Sequence, residues 1–215
     1  MQDTRNIAAR YSESCRKDFW QKVFRAELDY LLRQLGDRQN VLSIGCGSAV
    51  LEEGLCRHGY HVTGLDISRE ALKCASGKIR TVMARAEDMP FPDSSFDAVV
   101  LVASLQFVNN VQKVVERSVS VLRPEGMIIA MLLNPDSAFF KEKLRQPDSY
   151  VRRIKHPDLG PIENALSEYC HVEAEYFLGV ECGMVVRSRD PGRSLLYIIR
   201  GIKTPATNKE KGCRP

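Results

Sequence analysis

The sequence of 215 residues has no long hydrophobic run and no regular cysteine spacing. Its longest apolar stretches, near residues 98–105 and 127–133, are far shorter than the roughly 20 residues that cross a bilayer, so we expect no membrane contact. The charged first residues lack the apolar block of a signal peptide. The seven cysteines are scattered and contain no C-x-x-C pair. This pattern favours reduced thiols in a cytoplasmic protein and predicts no metal site.

The net charge of +4 is unevenly distributed. Residues 1–140 are balanced, whereas residues 141–155 carry six basic and two acidic side chains. A charge run usually forms a solvated helix face, and the alternative is that some of its members steer an anionic substrate. No alternation of aromatic and basic residues and no RNA-binding motif accompanies the run, so we expect no nucleic-acid partner.

Short apolar runs alternate with amphipathic stretches through residue 133. The helical spacing of apolar residues predicts helices near 12–35, 49–58 and 111–122, and Ser68 is a suitable N-cap for another. Seven runs suit strands, and they lie near residues 41–44, 61–65, 79–84, 97–102, 127–133, 172–178 and 195–202. Strands that alternate with helices predict an α/β fold with a mainly parallel sheet and helices on both faces.

A glycine loop and an aspartate form the clearest chemical signal. Gly45 and Gly47 follow the first strand, and Asp66 ends the second strand. Glycines let the backbone approach a ligand closely, and a carboxylate at the second position can accept both hydroxyl protons of a ribose. Val50 stands where a dinucleotide site has its third glycine, which argues against NAD or FAD. No P-loop motif is present, so nucleoside triphosphates are also disfavoured.

Four segments together resemble the class I S-adenosylmethionine-dependent methyltransferases. They are VLSIGCGSA (41–49), VTGLDIS (62–68), ARAEDMPFPDSSFDAVV (84–100) and VLRPEGMIIA (121–130). The chain looks most like the small-molecule branch that includes the quinone C-methyltransferases. The resemblance implies a Rossmann-like sheet of seven strands with the last strand antiparallel. It also implies one domain over 1–203, with a cofactor-binding core at 10–135, a substrate cover at 135–170 and a flexible polar tail at 204–215.

The resemblance implies S-adenosylmethionine as cofactor and a small-molecule methyl acceptor. Gly45 and Gly47 would flank the methionyl part, Asp66 would hold the ribose, and Ile67 would cover the adenine face. The full set implied to bind the cofactor is Gly45, Cys46, Gly47, Asp66, Ile67, Ala86, Glu87 and Leu101. Cys46 is interpreted as a packing residue, since no base is visible that could activate it as a nucleophile.

The acceptor side is less well marked. Candidate residues occur before the first helix, after the fourth strand and in the predicted cover, and they are Tyr11, Gln106, Arg152, Arg153 and His156. Each also has a plain structural interpretation, such as helix packing for Tyr11 or surface exposure for His156. Transfer from an activated sulfonium needs mainly positioning, and a base is needed only if the acceptor keeps its proton. No catalytic residue is therefore assigned.

The chain departs from the family pattern at four positions. Ser43 and Arg85 stand where the family usually has acidic residues, Ala49 where a third glycine is usual, and Gln106 where many relatives have histidine. A charge-assisted contact contributes roughly 1.5–3 kcal/mol, so missing carboxylates would weaken cofactor binding. The alternative function is a cofactor-binding or regulatory relative with weak or no turnover.

Overall fold

The computed structural model describes residues 18–181 and 184–205. Within these ranges the chain forms α-helices and one sheet, joined by short 3-10 turns. The helices are α1 (Asp18–Leu35), α2 (Val50–Arg57), α3 (Arg69–Ala75), α4 (Val111–Val121), α5 (Ala138–Arg145) and α6 (Leu159–Ser167). The strands are β1 (Asn40–Ile44), β2 (His61–Asp66), β3 (Arg80–Met83), β4 (Phe96–Val102), β5 (Leu122–Leu133), β6 (Cys170–Glu181), β7 (Met184–Val186) and β8 (Ser194–Lys203).

The sheet has the strand order β3-β2-β1-β4-β5-β8-β6-β7. Strands β1 to β5 pair in parallel, whereas β8 runs antiparallel to both β5 and β6. The predicted α/β class, the mostly parallel sheet and the antiparallel last strand are confirmed. The predicted count of seven strands is wrong, because β7 adds an eighth strand at the edge. Its three residues are too few to show the alternation by which a strand is recognised in sequence.

Two hydrophobic layers cover the sheet. Helices α1 and α2 contribute to the layer on one face, and α4 and α6 contribute to the layer on the other. The central strands are apolar over residues 98–102 of β4 and 127–133 of β5, where both of their faces are largely buried. Leu42 and Ile44 of β1 belong to the α4–α6 layer, whereas Val41 belongs to the α1–α2 layer.

Local capping sets where the helices begin. Ser68 accepts a hydrogen bond of 3.2 Å from the Ala71 backbone N–H, as its predicted role as N-cap of α3 requires. The predicted helix over 12–35 is present from Asp18 onward, and its first residues lie outside the described part. Within the described residues, no helix combines the length and the apolar character that a membrane span needs. The domain boundaries implied by the resemblance stay a prediction.

Candidate cofactor and acceptor site

A cavity of about 400 Å³ opens at the carboxyl ends of the parallel strands. Ligands of open α/β sheets bind at this edge, where the strand order reverses between β1 and β4. The lining residues follow β1, β2, β3 and β4, with one from the predicted cover. They are Ile44, Gly45, Leu65, Asp66, Ile67, Ala84, Arg85, Ala86, Glu87, Ala103, Ser104, Phe107, Val108, Asn109 and Lys155. A cavity of this size suits a small-molecule cofactor.

The glycine loop is held closely against the neighbouring strands. The backbone N–H of Gly45 donates to the Leu65 carbonyl over 2.7 Å, and Gly45 has a positive φ of 80°. A Cβ atom at this position would overlap the Ser104 side chain, whose Oγ donates to the Ile44 carbonyl over 2.6 Å. Only glycine combines this backbone conformation with such a close approach. The loop therefore presents main chain rather than side chain to the cavity.

Asp66 connects the ends of the two strands that carry the predicted motifs. Its Oδ2 accepts from the Gly47 backbone N–H over 2.8 Å, and its Oδ1 accepts from the Ser68 N–H over 2.7 Å. A carboxylate has about four acceptor positions, so further ones remain for ligand hydroxyls. The adjacent Ile67 is 64% exposed and lines the cavity. An exposed apolar side chain beside a carboxylate suits a ligand with a sugar and a flat ring.

Glu87 forms hydrogen bonds that stabilise another wall of the cavity. Its Oε1 accepts from the backbone N–H groups of Asn109 and Asn110 over 2.9 and 3.4 Å, and Arg85 lies 3.3 Å away. Burial alone would raise the pKa of Glu87, but these backbone hydrogen bonds and the Arg85 charge outweigh it, and the pKa lies below its usual value. Glu87 is therefore ionised at neutral pH, and the positive charge of Arg85 is already paired at the edge of the cavity.

The structure brings together five of the residues predicted to bind the cofactor. Gly45, Asp66, Ile67, Ala86 and Glu87 all line the cavity. The other three predicted residues are not among the lining residues, and they are Cys46, Gly47 and Leu101.

Those three residues stand behind or beside the wall. Leu101 is buried in the core, and Gly47 reaches the site through its bond to Asp66. Cys46 packs against Gly64, and burial raises the pKa of its thiol far above the usual range. The thiol therefore stays protonated, in agreement with the interpretation of Cys46 as a packing residue.

Gln106 is fully buried and has both amide atoms engaged. Its Nε2 donates to the Leu133 carbonyl over 3.1 Å, and its Oε1 accepts from the Leu133 N–H over 2.8 Å. Its own carbonyl accepts from the backbone N–H groups of Lys155 and His156. Gln106 thus ties the loop after β4 to β5 and to the predicted cover. It does not line the cavity.

Of the other predicted acceptor residues, three lie within the described part of the chain. The His156 ring bonds through Nε2 to the Val108 carbonyl over 3.1 Å, so that nitrogen carries the proton. Arg152 and Arg153 are exposed, and Arg152 donates to the Leu144 carbonyl over 2.8 Å. None of the three lines the cavity. Tyr11 lies outside the described residues, and the role of all four in acceptor binding stays a prediction.

Sequence reasoning missed several residues of the acceptor end. Ser104, Phe107 and Asn109 follow β4, and Lys155 belongs to the basic run. Lys155 lines the cavity, and its Nζ donates to the Asn109 Oδ1. The basic run indicated a cation near the site, but the sequence did not indicate which member of the run lines the cavity.

Ser43, which departs from the family pattern, bonds to a carboxyl group. Its Oγ donates to Glu52 Oε1 over 2.6 Å, and both side chains are buried. Glu52 lies in the first turn of α2, directly after the glycine loop. The site therefore does have a carboxyl group close to the position where the sequence lacks one.

Comparison with known proteins agrees with this geometry. Residues 42–130 match a family model described as a methyltransferase domain. A demethylmenaquinone methyltransferase of Tropheryma whipplei is 34% identical over 157 residues, which cover 67% of this chain and 66% of that protein. A ubiquinone biosynthesis O-methyltransferase of Alkalilimnicola ehrlichii is 30% identical over 137 residues, covering 59% of this chain and 51% of that protein. The chain thus spans only about half to two thirds of the length of these relatives.

A solved structure shares the fold across nearly the whole chain. The S-adenosylmethionine-dependent methyltransferase of Thermotoga maritima, described as a possible histamine N-methyltransferase, superposes with a TM-score of 0.79 at 15% identity. The superposition covers 93% of this chain and 97% of that one. The glycine loop, Asp66 and all the lining residues of the cavity except Lys155 lie within the matched family segment. The chain belongs to the class I S-adenosylmethionine-dependent methyltransferases of the small-molecule type, and S-adenosylmethionine is its cofactor.

Proposed function

We propose that this protein transfers the methyl group of S-adenosylmethionine to a small, anionic acceptor. The observation that carries the proposal is the position of Lys155. Of the six basic residues in the run 141–155, Lys155 lines the cavity, at the end formed by the loop after β4. A cation at the mouth of a cleft attracts an anionic ligand and helps to orient it.

The residues present fit the cofactor. Asp66 has free acceptor positions for the ribose hydroxyls, and the exposed Ile67 offers an apolar surface to the adenine ring. The main chain at Gly45 leaves room for the amino-acid end, while Ala86 and Glu87 would border the adenine edge. Bound S-adenosylmethionine supplies a methyl group on a positively charged sulfur, which makes displacement mainly a matter of positioning.

The described lining residues offer no free general base. The Asp66 carboxylate is assigned to the ribose hydroxyls, and the Glu87 carboxylate accepts the backbone N–H groups of Asn109 and Asn110, so neither is assigned to a substrate proton. An anionic acceptor, such as an ionised phenol or enol, has already lost its proton and needs no base. Lys155 would stabilise that ionised form before transfer. The proposed acceptor class is consistent with this arrangement.

The relatives point to one group of acceptors. Those named above are methyltransferases of demethylmenaquinone and of ubiquinone biosynthesis. Hydroxylated ring compounds related to quinones are therefore the first compounds to test, with neutral O-methylated analogues as controls. Salt is a second variable, because steering by Lys155 weakens as the ionic strength rises.

The first test is calorimetric titration with S-adenosylmethionine and S-adenosylhomocysteine. No binding of either, well above cellular concentrations, would refute the proposed function and favour a protein without turnover. The second test measures S-adenosylhomocysteine release with the acceptor panel. Lys155→Gln is expected to raise the acceptor KM about fivefold to tenfold and to flatten its salt dependence. Lys141→Gln is the matched control, since Lys141 is exposed on α5 in the same basic run.

A further inference from the structure

Two buried carboxyl groups lie on the contacting helices α1 and α2. Glu27 of α1 is 4% exposed and Glu52 of α2 is 5% exposed. Glu52 accepts the hydrogen bond from Ser43 Oγ, whereas Glu27 Oε2 is buried without a hydrogen-bond partner among the described residues. Glutamate is seldom buried unless it is paired. Such an arrangement is costly, and a structural role alone would be served equally well by apolar side chains.

The two groups cannot both be ionised at neutral pH. Burial raises the pKa of Glu27 to about 8, with the Glu52 charge as a second cause. Burial also raises the pKa of Glu52 to about 7, against the lowering effect of the Ser43 hydrogen bond. Two nearby carboxyl groups in a low-dielectric environment repel each other as anions. At least one of the two groups is therefore protonated near pH 7.

The surrounding charges connect this pair to the cofactor site. Asp66, on β2, raises the pKa of Glu52, and Lys78, which follows α3, lowers it. Glu52 and Asp66 also both raise the pKa of Cys46, within the glycine loop. Ser43 lies two residues before Gly45. The charged groups that act on Glu52 thus include Asp66, the residue proposed to hold the ribose, and Lys78.

We infer that Glu27 and Glu52 form a proton-linked charge sensor for the cofactor. Binding of the positively charged S-adenosylmethionine near Gly45 favours the ionised form of Glu52, so a proton leaves the pair for the solvent. The product S-adenosylhomocysteine lacks the sulfonium charge, so the pair takes the proton back when the product is bound. This inference rests on the proposed function, because it needs cofactor bound beside the glycine loop. Its consequence is that the pair distinguishes cofactor from product by charge.

The experiment is calorimetric titration at pH 7 in phosphate and in Tris, whose ionisation enthalpies differ. The difference in apparent binding enthalpy gives the number of protons released. We expect about half a proton released per S-adenosylmethionine and clearly less per S-adenosylhomocysteine. The ratio of the two affinities is expected to change in favour of S-adenosylmethionine by about threefold from pH 6 to pH 8.

Three variants test the assignment. Glu52→Gln keeps an acceptor for Ser43 and should abolish the proton release. Glu53→Gln is the matched control, because the neighbouring Glu53 is partly exposed and pairs with Arg57 over 2.6 Å, and release should persist. Ser43→Ala removes the hydrogen bond that favours ionised Glu52, so the midpoint of proton release should move to higher pH.

The possible outcomes distinguish a failure of the proposed function from a failure of the charge sensor. Absence of cofactor binding would refute the proposed function. Normal binding with equal enthalpies in both buffers would overturn the charge sensor and leave the proposed function intact. Proton release that survives in Glu52→Gln would also overturn it. If Glu52→Gln is not folded by circular dichroism, Ser43→Ala supplies the test, and a midpoint of proton release that stays where it is in the parent would overturn the charge sensor.

Discussion

Replacing Gly45 by alanine tests the geometry of the glycine loop directly. An added Cβ atom would overlap the Ser104 Cβ and lie 3.1 Å from Ser104 Oγ, at a φ of +80°. Two costs follow. The left-handed conformation costs an alanine about 1–2 kcal/mol, and overpacking against Ser104 adds about 1–3 kcal/mol.

A second glycine separates the two costs. Gly77 has the same φ of +80° but nothing within 4 Å of an added Cβ atom, so Gly77→Ala should show only the conformational strain. For a chain of this size, 1 kcal/mol corresponds to about 2–4 °C in Tm. We expect Gly77→Ala to lower Tm by about 3–6 °C, and Gly45→Ala to lower it clearly further.

Cofactor affinity supplies the functional comparison. Gly45→Ala displaces either the loop or Ser104, which donates to the Ile44 carbonyl. We expect its affinity for S-adenosylmethionine to fall at least about tenfold, since small displacements in a binding site have large effects. Gly77→Ala should bind as the parent does. Equal Tm losses in the two variants, together with unchanged affinity in Gly45→Ala, would refute the argument from close approach.

Three further predictions concern buried or paired groups. Because the pKa of Glu27 is raised from 4.5 to about 8, its contribution to stability is full below pH 4.5 and is lost as the pH rises towards 8. Glu27→Gln should remove that loss, so urea unfolding should find it more stable than the parent at pH 8 and similar at pH 4.5. Asp66→Asn removes the charge and one of two backbone hydrogen bonds, and calorimetry should show roughly 10–100-fold weaker S-adenosylmethionine binding. Gln106→Leu leaves the N–H and C=O of Leu133 unpaired, and urea unfolding should show a loss of about 2–4 kcal/mol.

The sequence predicted the cofactor half of the site because its residues follow successive strands. In a parallel sheet the carboxyl end of each strand lies at one edge. Gly45 after β1, Asp66 at the end of β2 and Glu87 after β3 therefore had to come close together once the strands were recognised. The fold was predictable because residues 98–102 of β4 and 127–133 of β5 are continuous apolar runs, as is typical of strands buried on both faces.

The acceptor half was not predictable in the same way. Lys155 reaches the cavity through an irregular segment, whose path is fixed by bonds from the Lys155 and His156 N–H groups to the Gln106 carbonyl. Nothing in the local pattern indicates that Lys155 lines the cavity whereas Arg152 and Arg153 do not. Long-range hydrogen bonds to Gln106 determine the position of this segment.

The sequence of α1 indicates that the Glu27 carboxyl group is buried, but the apolar pattern around it conceals this indication. Glu27 stands four residues after Val23 and four before Leu31, both of which are buried on the inner face of α1. Residues four apart share a helix face, so a glutamate at this position predicts a buried carboxyl group. The helix was predicted from its hydrophobic residues alone, and that prediction left out the glutamate on the same face.

The sequence suggests that Ser43 leaves this region without a carboxyl group, but the structure shows that it does not. Ser43 does not remove the carboxyl group from the region but holds Glu52, a residue of the following helix, through a 2.6 Å hydrogen bond. Burial raises the pKa of Glu52 to about 7. The charge beside Ser43 therefore changes with pH within the neutral range. Weak cofactor binding at low pH would then be a property of an active enzyme, and measurements at pH 6 and pH 8 distinguish it from a relative that has lost its activity.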